Sequence, residues 1–274
     1  IEFDLAELEP ADWDAMAARI RWHLSTPYAV ALKSIFGEAL VSGLGLAIAH
    51  NGTGWIGDRL MHPRFRGPEL EGDLVSALLK QLEAKGCSTV SILAAEAAIP
   101  LFERQGFVPE GWYVTYAGGQ CEAPTLDEVE LFEPHHSLGV LRMDKLASGE
   151  DRRILISEHF YASRIFVKNG KVLGNYMVLL GEGLIVAENT FAGEELLRWH
   201  LPHVAEVTLP EANAAAIEPI GASAATRPDG GCRRDRRRRQ SGPRRRAVWS
   251  PTARSRACGP RAAATAGTAA RPTP

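Results

Sequence analysis

WIGDRLMHPRFRG, residues 55–67, and PLFERQGFVPEGWYVTYAGG, residues 100–119, enclose the part of the chain that decides its fold. The first segment predicts a strand that stops at Pro63, which has no amide proton for a ladder. A basic loop follows. Apolar residues then recur at steps of three and four and predict a helix packed on a sheet: Leu70, Leu74, Val75, Leu78, Leu79 and Leu82. Residues 88–95 predict the next strand, residues 97–105 a second helix, and Gly106 with Phe107 the start of a last strand.

In this order of elements the chain resembles the GNAT superfamily, the Gcn5-related N-acetyltransferases. MHPRFRG, residues 61–67, is similar to the end of their fourth strand and the first half of their RxxGxG pyrophosphate loop. PLFERQGFVPE, residues 100–110, is similar to the helix, Gly-Phe pair and strand that close their cofactor site. The resemblance covers residues 28–119. It implies an α/β fold with a mixed, mostly antiparallel sheet flanked by helices.

The same resemblance implies a function: transfer of an acetyl group from acetyl-CoA, as co-substrate, to a primary amine of a small molecule. It places the cofactor on eleven residues: Leu60, Met61, His62, Arg66, Gly67, Pro68, Glu69, Leu70, Glu71, Gly72 and Phe102. Backbone amides near Leu60 and Met61 would bind the acetyl carbonyl and the pantetheine arm. Amides at the helix N-terminus would hold the pyrophosphate.

The loop departs from the family pattern at three positions. Pro68 contributes no amide, and Glu69 and Glu71 replace glycines that let the backbone approach phosphate. Two explanations stay open. Either both glutamates turn outward as first-turn residues that the helix dipole favours, or the cofactor site is weakened.

The candidate catalytic residues are Asp58, Tyr113 and Tyr116. Asp58 lies in an otherwise largely apolar strand, so a partly buried carboxylate with a raised pKa is expected if it acts as the base, with His62 as a second candidate. The alternative is that Asp58 has a structural role and forms an ion pair with Arg59 or another cation. Phe102 stands where many family members have a tyrosine that protonates the CoA thiolate. Tyr113, Tyr116 or water would supply that proton, unless the tyrosines only pack in the strand.

The second half of the chain repeats the pattern in degraded form. Residues 163–180 predict a hairpin around Asn169-Gly170, residues 181–189 a strand, and Thr190 the N-cap of a helix. We therefore predict a GNAT domain over residues 1–120, a truncated GNAT-like domain over 121–220 and a disordered Arg/Ala-rich tail over 221–274. A catalytically impaired acyl-CoA-binding or regulatory module is the alternative function.

The tail differs sharply in charge from the rest of the chain. It holds 14 arginines and 2 acidic residues, whereas residues 1–220 hold 17 Lys and Arg against 31 Asp and Glu. An arginine-rich arm would bind nucleic acid or another polyanion through phosphate contacts. The alternative is a frameshift near residues 218–221, because GC-rich DNA read out of frame gives arginine, alanine, glycine and proline.

The remaining motifs restrict the function classes. The sequence has no apolar run of 18 residues, so we expect no membrane partner and a cytoplasmic location. Its 4 cysteines show no CxxC spacing, which fits a reducing compartment. Four histidines form close pairs, His135 with His136 and His200 with His203, but Pro202 breaks the second pair and we predict no metal site.

Overall fold

A computed structural model describes residues 13–38, 40–117, 124, 128–181, 183–204, 206–211 and 213, and the backbone of 244–250. The described residues divide into two compact units that separate between Glu110 and Gly111, and Arg244–Ser250 belong to the first unit. The separation lies before the predicted domain boundary at residue 120. The physical reason is that Tyr113–Ala117 pair with a strand of the second unit.

Among the described residues, unit 1 contains three α-helices and four strands ahead of the separation point. The helices are α1 (Trp13–Ser25), α2 (Pro68–Ala84) and α3 (Ile99–Arg104). The strands are β1 (Ala29–Phe36), β2 (Leu40–His50), β3 (Thr53–Met61) and β4 (Thr89–Ala95). A further strand, β5 (Val108–Ala117), starts in unit 1 and ends in unit 2. The predicted order of strand, loop, helix, strand, helix and strand is confirmed from residue 53 onwards.

The sheet of unit 1 is mixed. β1, β2 and β3 form an antiparallel meander, and β4 lies parallel to β3. The predicted stripe of α2 packs on this sheet, with Leu74, Val75, Leu78, Leu79 and Leu82 buried. The sheet has a helix on its other face as well, because Met16 and Ile20 of α1 pack against alternate residues of β2. The predicted helix-flanked, mostly antiparallel sheet is confirmed.

Close contact between α2 and the sheet depends on a glycine. A Cβ atom at Gly45 in β2 would lie 2.7 Å from Cδ1 of Leu78. A real Cβ at this distance would push the helix away from the strand or force Leu78 into a strained rotamer. Gly45 therefore sets the depth at which α2 lies on the sheet.

Residues 244–250 form a further described strand, β11 (Arg244–Ser250). It pairs parallel to β4, with Arg244 opposite Thr89 and Ser250 opposite Ala95. The prediction that the whole tail lies outside the fold is wrong for these residues, because sheet pairing uses backbone groups and requires no apolar composition. The rest of the predicted tail, with the choice between polyanion binding and a frameshift, lies outside the described residues.

Unit 2 contains a second antiparallel sheet with its own helices. The strands β6 (Val129–Leu131), β7 (Ser163–Lys168), β8 (Lys171–Met177) and β9 (Leu184–Ala187) pair in that order. The helices are α4 (Ser137–Ser148), α5 (Arg153–Ile156) and α6 (Thr190–His200). The strand β10 (Glu206–Pro210) pairs antiparallel with β5. A helix, a three-stranded meander, a helix and a strand thus recur in the order seen in unit 1, and the tandem arrangement stays a prediction.

Local signals in unit 2 explain its turns and helix ends. Asn169 and Gly170 have positive φ angles of 52° and 71°, as the predicted tight turn requires. The predicted N-cap at Thr190 is wrong by one position. Asn189 is the N-cap, because its side-chain oxygen accepts a hydrogen bond from the amide of Ala192 at 3.0 Å.

Two polar pairs are buried in unit 2. The Tyr176 hydroxyl lies 2.8 Å from Nδ1 of His200, and both residues are buried between β8 and α6. Asp144 of α4 forms a two-point ion pair with Arg152, which is 1% exposed. Within the described part of the chain, no helix combines the length and the apolar character needed to span a bilayer.

Candidate functional site

The candidate site of unit 1 is organised by a bulge in β3. β2 advances two residues from Gly45 to Ala47, while their partners in β3 run three residues from Arg59 to Ile56. β3 therefore carries one extra residue at Gly57–Asp58, and such a bulge re-aims the side chains that follow it. Asp58 points towards α1 and Arg59 towards α2. As adjacent residues of a strand, Asp58 and Arg59 place their charges on opposite faces of the sheet.

β3 also separates from β4 at the bulge. Their parallel pairing covers Thr53–Ile56 opposite Thr89–Ile92. Beyond Ile56, the described pairings of β3 are with β2, and they reach Met61 opposite Gly43. Among the described residues, no strand pairs with β3 on the β4 side of this outer part, and the Gly57 carbonyl at its start accepts a hydrogen bond from Nη1 of Arg59. Leu60 and Met61 lie in this part, where the resemblance places the acyl group and the pantetheine arm.

The loop after β3 is shaped by His62. Its Nδ1 atom accepts a hydrogen bond from the amide of Arg64 at 3.1 Å and caps the 3₁₀ turn Pro63–Phe65. The Phe65 ring lies 4.7 Å from the ring of Phe36 in β1. The buried His62 ring therefore fixes the loop conformation, and its predicted roles in catalysis and cofactor binding stay predictions.

The first turn of α2 begins at Gly67, the N-cap residue. Gly67 is extended, with φ 179°, and open space surrounds the position that a Cβ atom would take. Pro68 occupies the first helical position and carries no amide proton. The amide of Glu71 bonds to the carbonyl of Gly67 at 3.2 Å, so the amides of Glu69 and Leu70 remain as first-turn donors without an intrahelical acceptor.

The two glutamates of this turn differ. Glu69 is exposed, as the outward-facing explanation predicts. Glu71 turns towards the sheet instead, and its Oε1 atom accepts a hydrogen bond from Nε of Arg59 at 3.3 Å. The Arg59 guanidinium lies 5.1 Å from the centre of the Phe102 ring. Phe102 is 0% exposed, and its buried ring lies against the Arg59 guanidinium.

Asp58 forms an ion pair on the opposite face. Its Oδ2 atom lies 2.9 Å from Nε of Arg19 in α1, and the Asp58 side chain is 5% exposed. The predicted burial of Asp58 is present. The ion pair that the sequence left open as an alternative is also present, and its cation is Arg19, not Arg59. This ion pair joins β3 to α1, and the role of Asp58 as a base stays a prediction.

Comparisons with solved structures identify the fold. A protein of Pyrococcus horikoshii, provisionally assigned as an acetyltransferase, matches at 19% identity with a TM-score of 0.61, and 80% of each chain is covered. The chain has the GNAT fold. A GCN5-related N-acetyltransferase of Sphaerobacter thermophilus matches at 17% identity and a TM-score of 0.48, covering 72% of this chain and 76% of its own. No family model and no curated protein matches the chain.

Gly72 lies where α2 meets α3. A Cβ atom there would lie 3.2 Å from Cδ1 of Leu101 in α3 and 3.4 Å from Nε2 of Gln105, the residue after α3. Gln105 in turn accepts a hydrogen bond from Ser76 at 2.9 Å. The missing side chain of Gly72 therefore serves packing between α2 and α3, and its predicted contact with the cofactor stays a prediction. Arg66 is exposed beside Gly67.

Tyr113 and Tyr116, the predicted proton donors, lie in the part of β5 that belongs to unit 2. Tyr116 is 9% exposed and packs in an apolar cluster with Val207 and Leu209. Burial, with a smaller contribution from Glu211, raises the pKa of Tyr116 and makes it a weaker acid. The packing alternative describes Tyr116 well, and its catalytic role stays a prediction.

Glu130, His135 and His136 form a cluster with metal-ligand chemistry, since their ligand atoms lie within 4.8 Å of one another. Nδ1 of His136 accepts the amide proton of Glu133 at 2.9 Å, as one half of a capping box. Neutral His136 then carries its proton on Nε2, the atom 3.0 Å from Glu130. A metal at Nε2 would have to break this cap, so we assign the cluster a capping role.

Sequence reasoning missed the bulge, Arg19 and Arg59. Gly57 was the only local signal of the bulge, because an isolated glycine in a strand often marks one. The two arginines carried no signal, since their partners lie elsewhere in the chain.

Proposed function

We propose that this chain is an N-acyltransferase that moves an acetyl group from acetyl-CoA to a primary amine of a small molecule. One observation carries the proposal. In a GNAT fold, β3 leaves β4 beyond Ile56 and leads through a short loop to the helix N-terminus at Gly67. This geometry offers backbone donors to both the acyl group and the diphosphate of one extended cofactor.

The residues at the loop fit a diphosphate in part. The open space at Gly67 admits close approach, the amides of Glu69 and Leu70 are donors, and the exposed Arg66 adds positive charge. Pro68 removes one donor. Acetyl-CoA supplies a thioester, an acyl group already activated for attack by an amine.

The residues on the α1 face of the sheet would bind the amine and accept its proton. Its nitrogen lone pair forms a bond to the acyl carbon, while backbone amides near Leu60 and Met61 donate to the acyl oxygen. Asp58 takes the amine proton directly or through a water. The carbon–sulfur bond then breaks, and the sulfur takes a proton from solvent or from a tyrosine, because Phe102 has none to give.

A catalytically impaired acyl-CoA-binding module is the second candidate. It is favoured by two residues around Arg59 that depart from the GNAT sequence pattern: Glu71 brings a carboxylate to the loop, and Phe102 lacks a hydroxyl. Both candidates bind CoA, and turnover separates them.

The test is calorimetric titration of acetyl-CoA into the full chain, followed by release of CoA thiol in the presence of a panel of primary amines. We expect micromolar binding and slow turnover. Asp58→Asn, which keeps the size of the side chain, should lower kcat on the order of 100-fold or more with little change in acetyl-CoA affinity. Asp73→Asn, an exposed acid of α2, is the matched control. Binding without turnover would favour the impaired module, and absence of binding would refute both candidates.

A further inference from the structure

Arg59 is held by three contacts that leave part of its guanidinium unused. Nε donates to Glu71 at 3.3 Å, Nη1 donates to the carbonyl of Gly57 at 3.0 Å, and the plane lies over Phe102. Among the described contacts, Nη2 makes no hydrogen bond. The side chain is 13% exposed. Burial lowers the pKa of Arg59, and the nearby carboxylates Glu71 and Asp58 oppose that effect, so the group stays cationic.

Glu71 meets this cation at the first turn of α2. Its side chain is 27% exposed, and it lies where the amide ends of the helix also favour negative charge. Glu69, two residues earlier, is exposed and has no ion pair among the described residues. Of the two first-turn carboxylates, Glu71 is therefore the one that brings negative charge to Arg59 at the helix end, as a phosphate group would.

We propose that Glu71 is an internal substitute for the cofactor's diphosphate: it neutralises Arg59 in the ligand-free protein, and the diphosphate of CoA displaces it and binds Arg59. This inference rests on the proposed function and adds a cofactor-binding residue, Arg59, that lies outside the loop motif. The affinity for CoA would then depend on a competition between the Glu71 carboxylate and the diphosphate for Arg59. The planar guanidinium suits this exchange, because it binds carboxylate and phosphate oxygens with the same donor geometry.

The experiment measures binding of CoA and of pantetheine, which lacks the diphosphate, to the full chain and to matched variants. Glu71→Gln keeps the size of the side chain and removes the competing charge. It should tighten CoA binding roughly tenfold, because the full charge of Arg59 becomes available to the diphosphate. Asp73→Asn removes an exposed charge from the same helix, outside the cofactor-binding set, and should change the CoA affinity by less than about twofold, since solvent screens it. Pantetheine binding should be the same in all three proteins.

A second variant tests Arg59 itself. Arg59→Gln should weaken CoA binding at least tenfold and leave pantetheine binding unchanged. Because this change leaves Glu71 half-buried without its cation, Arg59→Gln/Glu71→Gln is measured beside it, with circular dichroism to show that both fold. The double variant should lose the gain seen in Glu71→Gln.

The outcomes separate the inference from the function on which it rests. If the unmodified chain binds CoA and Glu71→Gln behaves like Asp73→Asn, the exchange is refuted and the transferase proposal stands. If Glu71→Gln tightens pantetheine as much as CoA, the effect is not on the diphosphate and the exchange is refuted as well. If no variant binds CoA, both proposals fall.

Discussion

Acid should destabilise unit 2 through one buried histidine, His200. Tyr176 lies 2.8 Å from its Nδ1 atom, and both side chains are buried. Burial, with a smaller contribution from His203, lowers the pKa of His200 from 6.5 to about 4. Burial likewise raises the pKa of Tyr176 to about 12, so Tyr176 donates and His200 accepts. The pair is therefore stable only while His200 is neutral.

The size of the effect follows from the two pKa values. The folded value lies below the unfolded value of 6.5, so the stabilisation is present above pH 6.5 and is lost as the pH falls towards 4. Between pH 7.5 and pH 5 the free energy of unfolding should fall by about 2 kcal/mol through this residue alone, and by about 3 kcal/mol at pH 4. That is a large part of the stability of an ordinary domain.

The assay is urea unfolding at pH 7.5, 6 and 5, followed by far-UV circular dichroism. His200→Asn is the test variant, because its amide oxygen can take the place of Nδ1 and accept the Tyr176 proton without titrating. His203→Asn, at an exposed position, is the control: it removes only the smaller contribution to the lowered pKa of His200 and should keep most of the pH dependence of the unmodified chain. If His200→Asn loses as much stability on acidification as the unmodified chain, the reasoning is refuted.

Two further changes test packing and charge. Gly45→Ala should lower the free energy of unfolding by about 1–3 kcal/mol, because the new Cβ would lie 2.7 Å from Leu78. Gly67→Ala, in extended backbone with open space around it, should change it by less than about 0.5 kcal/mol in thermal unfolding, and equal effects of the two would contradict the packing argument. Asp144→Ala should cost about 3–5 kcal/mol, because it leaves Arg152 charged and buried, and a cost below 1 kcal/mol in urea unfolding would show that solvent reaches the arginine.

The sequence predicted the parts of the fold that repeat with a regular period. The stripe of α2 from Leu70 to Leu82 follows the turn of a helix, so the buried face could be named from spacing alone. The turn at Asn169-Gly170 was equally readable, because few residue pairs adopt its positive φ angles. Gly67 was expected in the loop and lies at the helix start.

The candidate site was harder to predict from the sequence, because its geometry depends on a β-bulge and on partners that are distant in the chain. The bulge interrupts the alternation of β3, and no periodic rule says on which side of it Asp58 will point. Arg19 and Glu71 meet β3 only after the helices pack on the sheet. The sequence therefore indicated that Asp58 and Glu71 matter without indicating which cation each would face.

The extra residue in β3 distorts the strand without deciding which face each charge occupies. Asp58 and Arg59 are neighbours in the chain, and the sheet lies between their side chains, with Arg19 on one face and Glu71 on the other. Deleting Gly57 would leave Ile56 opposite Ala47 and Arg59 opposite Gly45, so Asp58 would stay on the α1 face and Arg59 on the α2 face. The deletion would instead remove the local kink and let β3 run regularly beside β2 through this point.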